Sequence, residues 1–238
     1  AYTRLLSGSP RLGALMREYL RWPYGKCSRV LVPSEHTRLT LIDARCAPDR
    51  LEVWPRGVDA ELFQPSRRST ALRAAWRVSD RQLALLYVGR LSREKGLALL
   101  RPLGDRLWRL GVEHRFVLAG RGPFEADLRR AMPDAVFTGA LSREAVAEVF
   151  ASADAFVFPS RTDTAGNVVL EAQASGLPVV IAGDGGVREQ IIAGVTGLVC
   201  RRDDPAEWAG AIASLTGARA RRAEMGAAAR QHAVERSW

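Results

Sequence analysis

From Leu83 onward the chain carries six short, unbroken apolar runs, near residues 83–88, 115–119, 135–138, 155–158, 178–182 and 197–200, each followed by residues with helical spacing. A strand with one wet face would alternate apolar and polar residues, so an unbroken run implies burial on both faces. Strict strand-helix alternation then predicts a parallel sheet covered on both sides, the doubly wound, Rossmann-like α/β class. Helix starts carry their own signals: Ser92 and Ser142 stand at cap positions, and Asp204-Pro205-Ala206-Glu207 reads as a capping box with proline at the first helical position.

In such a sheet, ligands collect where loops leave the carboxyl ends of strands. The run Ala155–Phe158 stops at Pro159, passes through a polar loop, and resumes at Asn167 with a helical pattern that ends at Gly176. The helix start offers unpaired N–H groups and positive potential, and Gly166 lets a ligand approach it closely. Asp163 precedes this helix and Glu171 lies one turn inside it, neither with an evident partner nearby in sequence. A phosphate at the helix start, with hydroxyl-rich groups on either side, would use all three features, because carboxylates accept hydrogen bonds from vicinal hydroxyls. A nucleotide sugar has that chemistry.

The first strand-to-helix junction, Tyr87-Val88-Gly89-Arg90 followed by Leu-Ser-Arg-Glu-Lys95-Gly96, places two cations where both can face one crevice and hold a diphosphate. The competing reading is two solvated surface cations on a chain of net charge +9. Lys95 stands out nonetheless, since it and Lys26 are the only lysines among 35 basic residues.

Pro159-Ser160, Asp163, Gly166, Glu171-Ala172 and Ser175-Gly-Leu-Pro-Val-Val180 resemble the donor-binding signature of the retaining glycosyltransferases of GT-B fold, the glycosyl transferases group 1. Members usually carry two glutamates at the spacing of Asp163 and Glu171, and often phenylalanine where this chain has Ala165. Gly89-Arg90 with Lys95-Gly96 is similar to the family's diphosphate-holding signature. Gly57-Val58-Asp59 with Phe63 and Pro65 is similar to its lobe-boundary signature. Trp54-Pro-Arg-Gly-Val-Asp59 and Thr162–Asn167 most resemble GDP-mannose-dependent α-mannosyltransferases and sulfoquinovosyl-diacylglycerol synthases.

The resemblance implies a GT-B architecture in which residues 1–56 are the tail of the amino-terminal acceptor lobe, otherwise largely absent. Residues 57–82 would link the lobes, residues 83–216 would form the nucleotide-sugar-binding domain, and residues 217–238 the carboxyl-terminal helix. It implies catalytic roles for Arg90, Lys95 and Asp163, and donor binding by Gly89, Val136, Thr164, Ala165, Gly166, Asn167 and Glu171. Glu171 would hold the ribose, Asp163 the sugar hydroxyls, and the backbone near Val136 the base. The reaction implied is metal-independent retaining transfer of a hexose, mannose-type favoured, from a GDP- or UDP-linked donor to a sugar, lipid or polysaccharide-precursor acceptor. No further cofactor is implied. Asp is shorter than Glu by one carbon-carbon bond, about 1.5 Å, which bears on donor-sugar identity.

Plainer readings stand beside these: Glu171 as a first-turn glutamate favoured by the helix dipole, Asp163 as a turn residue, Gly120 and Gly122 as ordinary strand-exit glycines. Gly185, Gly186 and Glu189 are assigned only crevice shape. A sugar-nucleotide epimerase of the same architecture and a non-catalytic nucleotide-sugar-binding module are the alternatives in function. No aromatic stacking platform or basic recognition helix supports nucleic acid as a partner. His36, His114 and His232 sit with no Ser or Cys in a nucleophile arrangement, so a hydrolase lacks parts.

Cys27, Cys46 and Cys200 are odd in number and widely spaced, which argues for free thiols and against a metal site. No apolar run approaches the roughly 20 residues of a membrane span and no signal-peptide pattern opens the sequence, so the expected location is cytoplasmic. Residues 10–24 read as a basic amphipathic helix, which either packs on a neighbouring sheet or meets anionic lipid at the inner face of the cell membrane.

Overall fold

The structure, a computed structural model, describes residues 19, 22–160, 162–201, 203–216 and 219–237. Most of the amphipathic helix expected over residues 10–24 lies outside these; residues 19 and 22–26 are helical.

The amino-terminal part is small. Strand β1 (Val30–Val32) pairs in parallel with β2 (Leu51–Val53), and helix α1 (Glu35–Asp43) crosses between them. Ser34 caps α1 as its position suggests, its hydroxyl accepting from the Thr37 N–H at 3.2 Å. Val32, Cys46 and Leu51 form a core of their own beneath this unit.

The chain then passes through α2 (Thr70–Ala75) into the main sheet: β3 (Leu83–Val88), β4 (His114–Ala119), β5 (Val136–Gly139), β6 (Ala155–Phe158), β7 (Val179–Ala182) and β8 (Gly197–Cys200). All neighbours are parallel, in the order β5-β4-β3-β6-β7-β8. Counted from β3 this is 3-2-1-4-5-6, so the direction of winding reverses between β3 and β6 and a crevice opens there. Every residue of β6 and β7 is buried, as their unbroken apolar runs require, whereas the edge strand β5 is only half-buried.

Helices α3 (Leu100–Arg109), α4 (Glu125–Ala131), α5 (Arg143–Ser152), α6 (Asn167–Ala174), α7 (Pro205–Ala213) and α8 (Arg219–Val234) complete the domain. Two local expectations change. Ser92 opens a 3-10 turn over Arg93–Lys95 and its hydroxyl bonds Glu94 at 2.6 Å; Gly96 is left-handed at φ 73°, and a regular α-helix begins only at Leu100. The β7–β8 crossover holds a 3-10 segment, Gly186–Gln190, in place of an α-helix. A Cβ on Gly186 would stand 2.0 Å from the Thr164 carbonyl oxygen and 2.4 Å from Ser34 Oγ, so this segment is wedged between the amino-terminal unit and the β6 exit loop. At Asp204 half of the capping box forms: Oδ1 accepts from the N–H groups of Ala206 and Glu207, while Glu207 turns to Arg201.

Asp154, at the foot of β6, bonds the Ala84 N–H at 2.8 Å, Arg73 at 2.8 Å and Arg68 at 3.2 Å. It thereby ties α2 and the turn before it to the first strand. Val58 forms a parallel bridge with Ser237 beyond α8, and Arg230 on α8 donates to the carbonyls of Phe63 and Ala174. The segment between the two sheets is thus pinned at both ends.

Candidate functional site

The β3 and β6 exits meet at the crevice. Tyr87 and Phe158, neighbours near the carboxyl ends of these strands, stack with centroids 6.1 Å apart and an interplanar angle of 15°. The Tyr87 hydroxyl donates to the Arg90 carbonyl at 3.0 Å, which fixes the loop carrying Gly89 and Arg90. Burial, then Asp163 and Glu94, push the phenol above its ordinary range, so it stays a protonated donor. Gly96 lies against the other exit so closely that a Cβ would stand 2.3 Å from the Pro159 carbonyl oxygen.

Lys95 Nζ lies 2.8 Å from each carboxylate oxygen of Asp163, and Ser160 also donates to that carboxylate. The Lys95 and Asp163 side chains are 20% and 25% exposed, enough burial for the pair to be sheltered while still facing the cavity. Asp163, which looked unpartnered in sequence, therefore has its partner in a residue 68 positions away. Helix α6 starts at the same place: Gly166, left-handed at φ 66°, occupies its N-cap and no side chain caps the first turn. Its early amides are therefore available to an anion.

A cavity of about 430 Å³ joins these groups, lined among others by Gly89, Arg90, Lys95, Asp163, Thr164, Ala165, Gly166 and Asn167. Two residues expected in the site do not line it. Val136 begins β5 beside Val117, so it sits toward the amino end of an edge strand, away from the carboxyl ends where the cavity lies. Glu171 is half-buried on α6, behind the first turn. Burial raises its carboxyl to about 7, with Arg143 opposing the rise, and among the described residues it has no hydrogen-bond or ion-pair partner. Gly120 and Gly122 shape the neighbouring loop: a Cβ on either would collide with the Gly89 or Leu91 carbonyl oxygen, at 2.0 and 2.2 Å.

Three features escaped the sequence reading. Tyr87 and Phe158 line the cavity but read only as strand apolars. Arg56 lines it from outside the domain, and its signal, a cation two residues before a buried valine at a turn, is short. The Glu189 carboxylate accepts from the N–H groups of Glu35 and His36 at 2.9 and 2.7 Å, capping α1 from 153 residues away or more. No sequence pattern carries that contact. Among the described residues no group of three His, Cys, Asp or Glu side chains is arranged to hold a metal ion.

Comparison with known proteins gives a consistent picture. Residues 69–232 match the family model described as glycosyl transferases group 1, and residues 2–62 match that of glycosyltransferase family 4. A GDP-mannose-dependent alpha-mannosyltransferase of Corynebacterium glutamicum is 36% identical over 221 residues, which cover 93% of this chain and 52% of the relative. The sulfoquinovosyl transferase SQD2 of Arabidopsis thaliana is 36% identical over 231 residues, 94% of this chain and 44% of that one. The chain thus spans about half the length of these curated relatives. Anabaena Alr3699/HepE, solved in complex with UDP and glucose, superposes with a TM-score of 0.83 at 22% identity over 97% of this chain and 64% of that one. It has the same fold.

Proposed function

The chain belongs to the glycosyl transferases group 1 family, and from that premise we propose that it carries the donor-binding lobe of a retaining glycosyltransferase. The reaction moves a hexose, mannose-type favoured, from a GDP- or UDP-linked donor to a sugar, lipid or polysaccharide-precursor acceptor. The observation that carries this reading is the convergence of Arg90, Lys95, Asp163 and the uncapped start of α6 on one cavity at the reversal point of the sheet. Residues 1–56 are the tail of the acceptor lobe, 57–82 the link between lobes, 83–216 the donor domain and 217–238 the closing helix.

In this mechanism the donor diphosphate lies between the two cations and the first-turn amides of α6. Negative charge grows on it as the bond from the anomeric carbon to the diphosphate oxygen breaks, and preorganised donors stabilise that charge. The acceptor oxygen attacks from the face the diphosphate leaves, and its proton passes to the departing diphosphate oxygen, so configuration is retained and no metal is required. Asp163 turns to the sugar hydroxyls; the ribose role that the family resemblance gives Glu171 would require the nucleoside to extend beyond the cavity lining, toward the second turn of α6. Support for a donor of mannose or sulfoquinovose type comes from the two named relatives. The basic pattern of residues 10–24 supports a location in the cytoplasm against the inner face of the cell membrane.

The test is release of nucleoside diphosphate from a panel of GDP- and UDP-sugars, with and without candidate acceptors, using the full-length enzyme. Turnover of one donor that is lost in Lys95→Ala supports the reading. Uniform inactivity, or turnover indifferent to Lys95, contradicts it.

A further inference from the structure

Three cations line the cavity, and they come from different parts of the chain. Arg90 and Lys95 follow β3, whereas Arg56 belongs to the segment between β2 and Val58. They are not equivalent electrostatically. Lys95 is matched by Asp163 through both carboxylate oxygens, so this pair brings no net charge. Arg56 and Arg90 have side chains without a hydrogen-bond or ion-pair partner among the described residues. The diphosphate diester of a sugar nucleotide carries two negative charges; of the two guanidiniums on the cavity wall, Arg90 already has the Glu94 carboxylate within electrostatic reach, whereas Arg56 has no such counterpart among the described residues.

The backbone presents Arg56 from a fixed base. Pro55 restricts the chain on one side. On the other, Val58 is 3% exposed and its N–H bonds the Arg236 carbonyl at 3.2 Å, while the Leu62 N–H bonds Asp59 Oδ1 at 2.9 Å. A guanidinium held in this way offers a planar fork suited to phosphate oxygens. We propose that Arg56 is a further cation of the diphosphate subsite, delivered from the segment before the donor domain, which meets the diphosphate beside Arg90 before Lys95 leaves Asp163 and stays on it afterwards. This deepens the glycosyltransferase reading and rests on it.

The experiment is isothermal titration of the 238-residue chain with UDP, GDP, UMP and GMP at two salt concentrations, for the unmodified protein, Arg56→Ala and Arg56→Lys. The side chain is exposed, so Arg56→Ala is expected to fold, which circular dichroism checks; Arg56→Lys serves as the second variant. Removing the guanidinium should weaken binding of the preferred diphosphate about 10-fold or more, weaken its monophosphate less, and flatten the salt dependence. Arg56→Lys should recover part of the loss. Unchanged diphosphate affinity in folded Arg56→Ala overturns the assignment, as does an equal loss for mono- and diphosphate in either variant. Failure of the unmodified chain to bind any of the four nucleotides is a separate result that removes the family-based reading and the inference with it.

Discussion

Lys95 and Asp163 form a two-pronged ion pair across the sheet's reversal point, with Nζ 2.8 Å from each carboxylate oxygen. The two residues, 68 positions apart in sequence, join the exits of strands that are neighbours in the sheet, and the pair occupies the wall against which a diphosphate would lie. In the proposed mechanism donor binding is an exchange: Lys95 would turn from carboxylate to phosphate, and Asp163 would become free for sugar hydroxyls.

That exchange separates two substitutions. Lys95→Ala removes a cation and leaves Asp163 as an uncompensated charge beside the ligand, so UDP or GDP affinity should fall about 10- to 100-fold. Asp163→Asn releases Lys95 from its partner, so affinity for the free nucleoside diphosphate should hold or rise while sugar transfer falls. Calorimetry alongside a transfer assay reads both, and parallel losses of binding in the two variants would contradict the exchange.

Gly166 combines a left-handed backbone, φ 66°, with crowding, since an added Cβ would meet both Val187 methyl carbons at 3.1 Å. Gly166→Ala should cost about 1–2 kcal/mol of stability from the backbone alone. It should also move the first-turn amides and weaken nucleotide binding. Thermal melts with and without UDP or GDP measure the two effects separately.

Glu171 gives a pH signature. Burial raises its carboxyl from the usual range near 4.5 to about 7. Between those values the folded chain holds a proton that the unfolded chain has released, so this group's contribution to stability falls as pH rises from about 4.5 to about 7. The slope approaches about 1.4 kcal/mol per pH unit at most. Glu171→Gln should remove that slope, and urea unfolding at pH 5, 6, 7 and 8 is the measurement. An unchanged profile in the variant would show that another group titrates there.

Arg73 and Asp154 are 10% and 8% exposed at the side chain, and Asp154 also serves the Ala84 N–H. Arg73→Ala strips the carboxylate of its buried partner and leaves only the half-exposed Arg68. The expected loss is about 3–5 kcal/mol, read from the urea midpoint at constant slope. Nucleotide affinity of the folded fraction should not change, because the pair lies at the opposite end of the strands from the cavity.

The strands were legible because burial on both faces leaves unbroken apolar runs: β3, β6 and β8 begin and end where the sequence reading puts them, and β4, β5 and β7 within a residue. The cavity was legible in outline for a related reason, since Arg90, Lys95, Asp163 and Gly166 all follow strand ends, and strand ends of a parallel sheet lie together. Pairings across the fold were not. The lysine opposite Asp163, the carboxylate of Glu189 on the first turn of α1 and the reach of Arg56 all join residues far apart in sequence, and no periodicity records such contacts. Val136, given a role in base binding by the family resemblance, lies outside the cavity lining because it opens β5 and so stands toward the amino end of that strand. The delayed start of α3 follows from Gly96, whose close approach to Pro159 interrupts the helix that Ser92 announces in sequence.

The most direct measurement is a crystal structure of the chain soaked with UDP or GDP. The diphosphate should lie between Arg90 and Lys95 on one side and the Asn167 and Val168 amides on the other, with Asp163 no longer holding Lys95 through both oxygens. A nucleotide bound elsewhere, or one in this cavity whose diphosphate touches neither cation, would contradict the central claim.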